Sequence, residues 1–319
     1  MQSRRNVLAL AASSCLLLGL PIPARARAWK RSFGFGFSLY GMKNLPLLDA
    51  LKHCAAVGYD CVELPTMADW PGAPEKLTAE DRKRFRDGLA VHSLRLSALM
   101  ENVVLLAEPG LHAKNLERLK RAAELGHELT DGALIDGAKA VADEKNPATD
   151  RVIIETVMGG KPSEWMEVRE AMVGRLREWA EVGKQTQSIV AIKAHISGAA
   201  HRPEHIRWLL DQVASPWLKA AFDFSHFQLR NIDLAEAWKM LAADTVFIHV
   251  KDSVGTQEKF QFVLPGEGTI DYAEYLKLIT ESSYTGDIVV EVSGQLHSRP
   301  DYDPVAACRR SFAIAELIE

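Results

Sequence analysis

Short apolar runs alternate along the chain with longer segments whose apolar residues recur every three to four positions. The runs are Phe33–Tyr40, Cys61–Leu64, Leu94–Leu99, Val152–Thr156, Ile189–Ala194, Leu218–Asp223, Val246–Val250 and Ile288–Val292. Each is apolar nearly throughout, the pattern of a strand covered on both faces of a parallel sheet. Between them, Pro46–Val57 sets Leu48, Leu51, Ala55 and Ala56 toward one side and stops at Gly58, a residue suited to a left-handed helix C-cap. Ser163–Lys184 carries Trp165, Met172, Leu176 and Trp179 at helical spacing, and Asp271–Thr280 and Pro304–Leu317 repeat the pattern. These aromatic positions read as packing of helix on barrel. Asp131–Asp150 is the least legible stretch and reads as a helix extension and loop.

Eight strands alternating with helices over about 290 residues predict an α/β fold of one domain, a closed (β/α)₈ TIM barrel. The competing open, doubly wound sheet would carry a glycine-rich phosphate loop after its first strand. Here Gly34 and Gly36 fall inside the first run and no third glycine follows at the required spacing. Gly159-Gly160 after the fourth run is a turn signal.

The first 28 residues stand apart from this pattern. Arg4 and Arg5 precede an apolar run from Val7 to Leu20, then Pro21 and Pro23, then the small-x-small site Ala26-Arg27-Ala28. That is the layout of a secretory signal, and Ser3-Arg4-Arg5-Asn6-Val7-Leu8 looks like its twin-arginine form. The run is too short for a good membrane span. The expected domains are therefore a cleavable signal over 1–28 and a barrel over 29–319, in an exported, periplasmic protein. Removing the four basic residues of the signal moves the net charge from −4 to about −8, which argues against a nucleic-acid backbone as partner. Cys54, Cys61 and Cys308 remain, an odd number that does not suggest a disulfide framework. They read as small buried hydrophobes.

Polar residues at the carboxyl ends of barrel strands face a shared mouth. Strand five ends Lys193-Ala194-His195, strand six Asp223-Phe224-Ser225-His226, strand seven His249-Val250-Lys251-Asp252 and strand eight Glu291-Val292-Ser293. Glu63 and Glu155 lie on strands two and four. Alternation along a strand puts Lys193 with His195, His249 with Lys251, and Glu291 with Ser293. One such residue often caps the following helix. Four adjacent strands ending this way point to a site.

Phe222-Asp223-Phe224-Ser225-His226, Phe247-Ile248-His249-Val250-Lys251-Asp252, Pro265-Gly266-Glu267-Gly268-Thr269-Ile270-Asp271-Tyr272, Val290-Glu291-Val292-Ser293 and Tyr59-Asp60-Cys61-Val62-Glu63-Leu64 together resemble the sugar phosphate isomerase/epimerase superfamily, the xylose-isomerase-like barrels. The resemblance implies one divalent metal held by Glu, Asp, His and Glu, with Asp223, His249 and Glu291 as the last three ligands. Oxygen and imidazole donors of this kind suit Mn²⁺, Mg²⁺, Co²⁺ or Zn²⁺. The metal would polarise a sugar oxygen while a flanking carboxylate moves a proton at the neighbouring carbon.

The chain departs from that pattern at Lys193, which stands where the family has its first Glu ligand. An ammonium has three donors and no acceptor, so it cannot ligate a metal. His195 shifts in as a substitute ligand, or three ligands and water suffice, or the ammonium sits where the metal would. Asp223, His249 and Glu291 in register favour a retained but modified metal site. Schiff-base chemistry needs a depressed lysine pKa, and neighbouring carboxylates work against that. Glu155, Glu291 and His195, beside Lys193, are the candidates for catalysis; Glu63, His226 and Lys251 are candidates for substrate binding. Asp223, His249, Glu291 and His195 are the candidate ligands. The expected function is isomerisation, epimerisation or keto-glycoside opening on an unphosphorylated carbohydrate. The alternatives are an accessory carbohydrate-binding barrel with a degenerate metal site and, more remotely, an abasic-site endonuclease.

Overall fold

The structure is a computed structural model and describes residues 33–130 and 151–318. The expected signal over 1–28 and the segment Asp131–Asp150 lie outside the described residues. Eight parallel strands close into one barrel. They are β1 (Phe35–Ser38), β2 (Cys61–Pro65), β3 (Arg95–Met100), β4 (Ile153–Val157), β5 (Ile189–Lys193), β6 (Leu218–Asp223), β7 (Thr245–Val250) and, after a small hairpin, β10 (Asp287–Val290). Closure is made by β1, which pairs with β10 on one edge and β2 on the other. The hairpin, β8 (Asp252–Gly255) with β9 (Phe260–Val263), is antiparallel and separate from the barrel.

The eight predicted strands are all present, with ends moved by one or two residues. The larger change is in the first, where Phe33–Tyr40 gives only four residues of strand and then turns into a 3₁₀ helix over Leu39–Met42. The Ser38 hydroxyl accepts the Tyr40 N–H and caps that turn. The barrel is wrapped by α1 (Leu47–Val57), α2 (Ala79–Val91), α3 (Pro109–Thr130), α4 (Trp165–Thr186), α5 (Pro203–Val213), α7 (Leu234–Leu241), α8 (Tyr272–Thr280) and α10 (Pro304–Ser311). The short helices α6 (Phe224–Gln228) and α9 (Gly294–His297) follow β6 and β10 at the mouth. Gly58 ends α1 at φ +112°, where a side chain would be strained, and its N–H bonds the carbonyls of Cys54 and Ala55. The helix expected over Pro304–Leu317 breaks at Ser311 and continues as 3₁₀ turns.

Strand periodicity divides the core in two. Outward residues such as Val62, Ile154, Val190, Ile192, Phe222, Ile248, Ile288 and Val290 join the helices in one continuous apolar shell. Trp165, Met172, Leu176 and Trp179 of α4 lie in that shell, as their spacing predicted. Inward residues Cys61, Ile153, Ala191, Ala221, Phe247 and Val289 form a second cluster inside the barrel. Two positions farther along each of those strands, on the same inward face, stand Glu63, Glu155, Lys193, Asp223, His249 and Glu291. The interior thus passes from an apolar plug to a layer of ionisable groups. Cys54, Cys61 and Cys308 are all buried free thiols.

Candidate active site

The ionisable layer is a single network. Lys193 Nζ hydrogen-bonds His249 Nδ1 at 2.8 Å and Glu291 Oε2 at 2.8 Å, and pairs with Glu155 Oε1 at 3.0 Å. Lys251 Nζ reaches the same Glu291 Oε2 at 3.0 Å and bonds Asp223 Oδ2. His249 turns Nε2 to Glu63 Oε2 at 3.0 Å, and the Ser38 hydroxyl bonds that oxygen too. Glu63 and Glu155 are wholly buried, whereas the Glu291 side chain keeps 12 % of its surface. Among these carboxylates Glu291 faces the open end, while Glu63 and Glu155 form the floor. Glu155 therefore meets the Lys193 ammonium from beneath, and Glu63 holds His249.

Local structure aims these groups. Asp223 is the N-cap of α6: its Oδ1 accepts the Ser225 N–H and hydroxyl, leaving Oδ2 for Lys251. Asp252 takes no part in the ion network. Its two oxygens accept the backbone N–H groups of Ser253, Gly266, Gly268, Thr269 and Ile270. One carboxylate thus folds the loop after β9 back against the end of β7. A Cβ on Gly268 would lie 2.3 Å from Asp252 Oδ1, so only glycine lets the chain come this close. This explains why the Lys251-Asp252 and Gly266-Glu267-Gly268 motifs occur together.

The electrostatics split the carboxylates. Burial raises both, but the ammoniums of Lys193 and Lys251 and the His249 ring hold Glu291 well below the ordinary carboxylate range. At Glu155 burial prevails over Lys193, and its pKa is raised. Burial works against charge on Lys193, yet Glu155, Glu291 and Asp223 hold its pKa well above the usual lysine value. That direction opposes Schiff-base chemistry, as the sequence predicted. Burial likewise works against a charged His249, and Glu63 and Glu291 lift it to about 9 while Lys193 pulls it down.

His195 and His226 stand to one side, with ring centroids 4.4 Å apart. His226 is buried; its Nδ1 accepts the Ile196 N–H at 3.3 Å and its Nε2 lies 3.4 Å from Asp223 Oδ2. His195 Nδ1 accepts the Ser197 N–H at 3.2 Å, so in the neutral ring the proton sits on Nε2. Burial, then Lys251 and Lys193, lower His195 to about 4 and hold His226 well below its ordinary value. His195 does not share a strand face with Lys193. β5 ends at Lys193, and the chain turns so that the His195 N–H bonds the Ala200 carbonyl. Nor does Ser293 enter the site, since it caps α9.

Sequence reasoning missed three contributors. Ser38 supports Glu63 from the end of β1. Tyr40 follows it, and burial together with the Glu291 charge pushes its phenol up to about 12. Phe262 of β9 sets its ring edge on His226 at 5.1 Å and lies under Lys251 Nζ at 5.2 Å. The signal for Ser38 and Tyr40 was available, since they stand at the end of a strand like the others. Trp70 packs beside Tyr40: it is buried and stacked on that ring at 4.5 Å.

Two groups among the described residues bring potential metal donors together, Glu63 with Glu155 and His249, and Asp223 with His249 and Glu291; within each group the donor atoms lie within 4.8 Å of one another. His195 belongs to neither. The residues do not fit a divalent ion as they stand. The His249 Nδ1, one Glu291 oxygen and one Glu155 oxygen are each within 3.0 Å of the Lys193 ammonium, and Asp223 is held by Lys251.

Comparison with known proteins bears on the family and the fold. Residues 51–311 match the profile of the family described as xylose isomerase-like TIM barrel. An inosose isomerase of Halalkalibacterium halodurans is 22 % identical over 275 residues, 83 % of this chain and 88 % of that protein. The solved structure of the IolI protein with a bound zinc atom superposes with a TM-score of 0.71 at 18 % identity, covering 90 % of this chain and 98 % of that one. The apo 3-keto-D-glucoside 4-epimerase YcjR of E. coli superposes with a TM-score of 0.67 at 14 % identity, covering 89 % and 99 %. At these identities the structural likenesses speak to the fold.

Proposed function

The chain belongs to the xylose isomerase-like TIM barrel family, and from that premise we propose that it is a sugar isomerase or epimerase, moving a proton at the carbon next to a carbonyl of an unphosphorylated sugar or keto-glycoside. The observation that carries this reading is the placing of Glu291. It is an ionised carboxylate at the open end of the barrel, and one of its oxygens touches two ammoniums. A base next to two cationic donors is what enolisation requires. The base takes the proton from carbon, and the donors stabilise the oxygen on which negative charge gathers.

In this reading Glu291 accepts the proton, and Lys193 and Lys251 face the developing enolate oxygen. His195, neutral and carrying its proton on Nε2, donates a hydrogen bond to a neighbouring hydroxyl. Glu155 and Glu63 are positioning residues acting through Lys193 and His249. The names of the relatives support a carbohydrate: an isomerase of an inosose and an epimerase of a keto-glucoside. The twin-arginine-type segment supports export and hence an unphosphorylated substrate. Among the described residues no helix is long and apolar enough to cross a membrane.

The test is solvent exchange. Purified protein is incubated in D₂O with keto-sugars, inososes and 3-keto-glycosides, and loss of the α-proton is followed by NMR. Exchange with at least one of them, reduced at least about a hundredfold by Glu291→Gln, supports the reading. Binding of a sugar with no exchange would make the chain an accessory carbohydrate-binding barrel and end the enzymatic reading.

A further inference from the structure

A divalent cation brings two positive charges to a point where several lone pairs converge. Here that convergence is already filled from within the chain. Lys193 Nζ lies 2.8 Å from His249 Nδ1, 2.8 Å from Glu291 Oε2 and 3.0 Å from Glu155 Oε1, so its contacts draw on both donor groups at once. An ammonium has three N–H groups, and this one makes two hydrogen bonds, with His249 Nδ1 and Glu291 Oε2, and an ion pair with Glu155. Lys251 Nζ holds Asp223 and shares Glu291 Oε2 at 3.0 Å. Every member of the group formed by Asp223, His249 and Glu291 is therefore in contact with an ammonium, and the two lysines together bring two positive charges.

We propose that Lys193, with Lys251, replaces the divalent ion, so that this chain works as a metal-independent member of its family with an ammonium pair as its electrophile. This departs from the sequence-based expectation of a retained metal site. It deepens the functional reading above and rests on it only for the identity of the oxygen that is polarised. The physical reason is steric and electrostatic together. A dication among Asp223, His249 and Glu291 would need the lone pairs that Lys193 and Lys251 occupy. It would also stand within a few ångströms of two like charges that have no water to screen them. Lys193 keeps only 3 % of its surface and is fixed by polar partners on three strands or strand ends. Swinging it away would leave Glu155 buried without its cation. Glu63 Oε1 and both Glu155 oxygens are buried without a hydrogen-bond partner, so the 3.0 Å contact of Glu155 Oε1 with Lys193 is an ion pair.

Metal content and thermal response decide the matter on the native full chain, without any substrate. Elemental analysis of protein purified without chelator should give well under one equivalent of Mn, Co, Zn or Mg. EDTA should leave the melting temperature unchanged, and added MnCl₂ or ZnCl₂ should not raise it. A stoichiometric metal that survives gel filtration, or a melting temperature lowered by EDTA and restored by MnCl₂, would overturn the proposal. Lys193→Glu then tests the cause. It changes the local charge by two and restores a carboxylate, so Mn²⁺ affinity by calorimetry should rise at least about tenfold over the native protein. An unchanged affinity in folded Lys193→Glu protein would count against the substitution. Should this variant not fold, the measurements on the native chain still decide. A native protein that exchanges no proton on any sugar yet binds no metal would end the functional reading and leave this one standing.

Discussion

His249 and Glu63 form a buried pair across the barrel interior, with Nε2 3.0 Å from Oε2 and neither side chain exposed to solvent. The Ser38 hydroxyl bonds the same oxygen, so Glu63 fixes the ring that faces Lys193. Glu63→Ala should cost about 1–3 kcal/mol, because the buried His249 Nε2 and the Ser38 hydroxyl both lose their partner. Glu63→Gln keeps an acceptor and should cost less. Its signature is a His249 pKa lowered from about 9, read by NMR of the ring. A His249 titration that Glu63→Gln leaves unmoved would show that the pair is not coupled.

The barrel was legible because parallel strands buried on both faces must be apolar, and their ends are marked by charge. Lys193, Asp223, His249 and Glu291 were visible in sequence as strand-end residues. Their contacts were not. Alternation along a strand says which face a residue shares, but not how far a lysine reaches. Lys193 crosses the barrel to His249 and Glu291, a distance set by closure. Period two also failed at His195, because β5 ends at Lys193 and the chain turns. Glu63 and Glu155 read as open groups, yet two residues of depth along a strand put them in the floor. The hairpin β8–β9, which brings Phe262 to Lys251, falls between the seventh apolar run and the Pro265–Tyr272 motif, where the pattern predicts no element.

Asp223 stands at a strand end but is 2 % exposed, so its removal is a core event. Asp223→Ala leaves Lys251 with one carboxylate partner instead of two and frees the first turn of α6. A loss of about 3–5 kcal/mol is expected in urea denaturation. Asp223→Asn retains an acceptor for Ser225 and should lose less stability. Equal stability of Asp223→Ala and the native protein would show that Lys251 finds solvent or another partner.

Asp252 acts through the backbone. Five N–H groups converge on its carboxylate, and hydrogen bonds to a charged acceptor are stronger than neutral ones. Asp252→Ala should destabilise by at least about 2 kcal/mol, the scale of one or two such bonds lost without replacement. Amide exchange should speed up at Gly266, Gly268, Thr269 and Ile270 before it does in the barrel strands. Gly268→Ala should give the same pattern, since its Cβ would meet Asp252 Oδ1 at 2.3 Å. Exchange that rises uniformly over the chain would argue against a local role.

His195 carries the pH dependence. Burial and the charges of Lys251 and Lys193 hold its pKa at about 4, against an ordinary 6.5. A histidine that is less basic folded than unfolded takes up a proton on unfolding. Its contribution to stability is therefore complete above about pH 6.5 and is lost as pH falls through about 4, to the extent of roughly 3 kcal/mol at most. His205, also lowered to about 4, and His226 push in the same direction. His195→Gln has no proton to take up, but its amide keeps a donor near the position of Nε2–H. The urea midpoint of this variant should fall less steeply between pH 6.5 and 4 than that of the native protein. Its turnover at neutral pH should exceed that of His195→Ala, because the neutral donor is preserved. Parallel stability curves for native protein and His195→Gln would show that the ring is not held neutral by the fold, and with that its assignment as a neutral donor would fail.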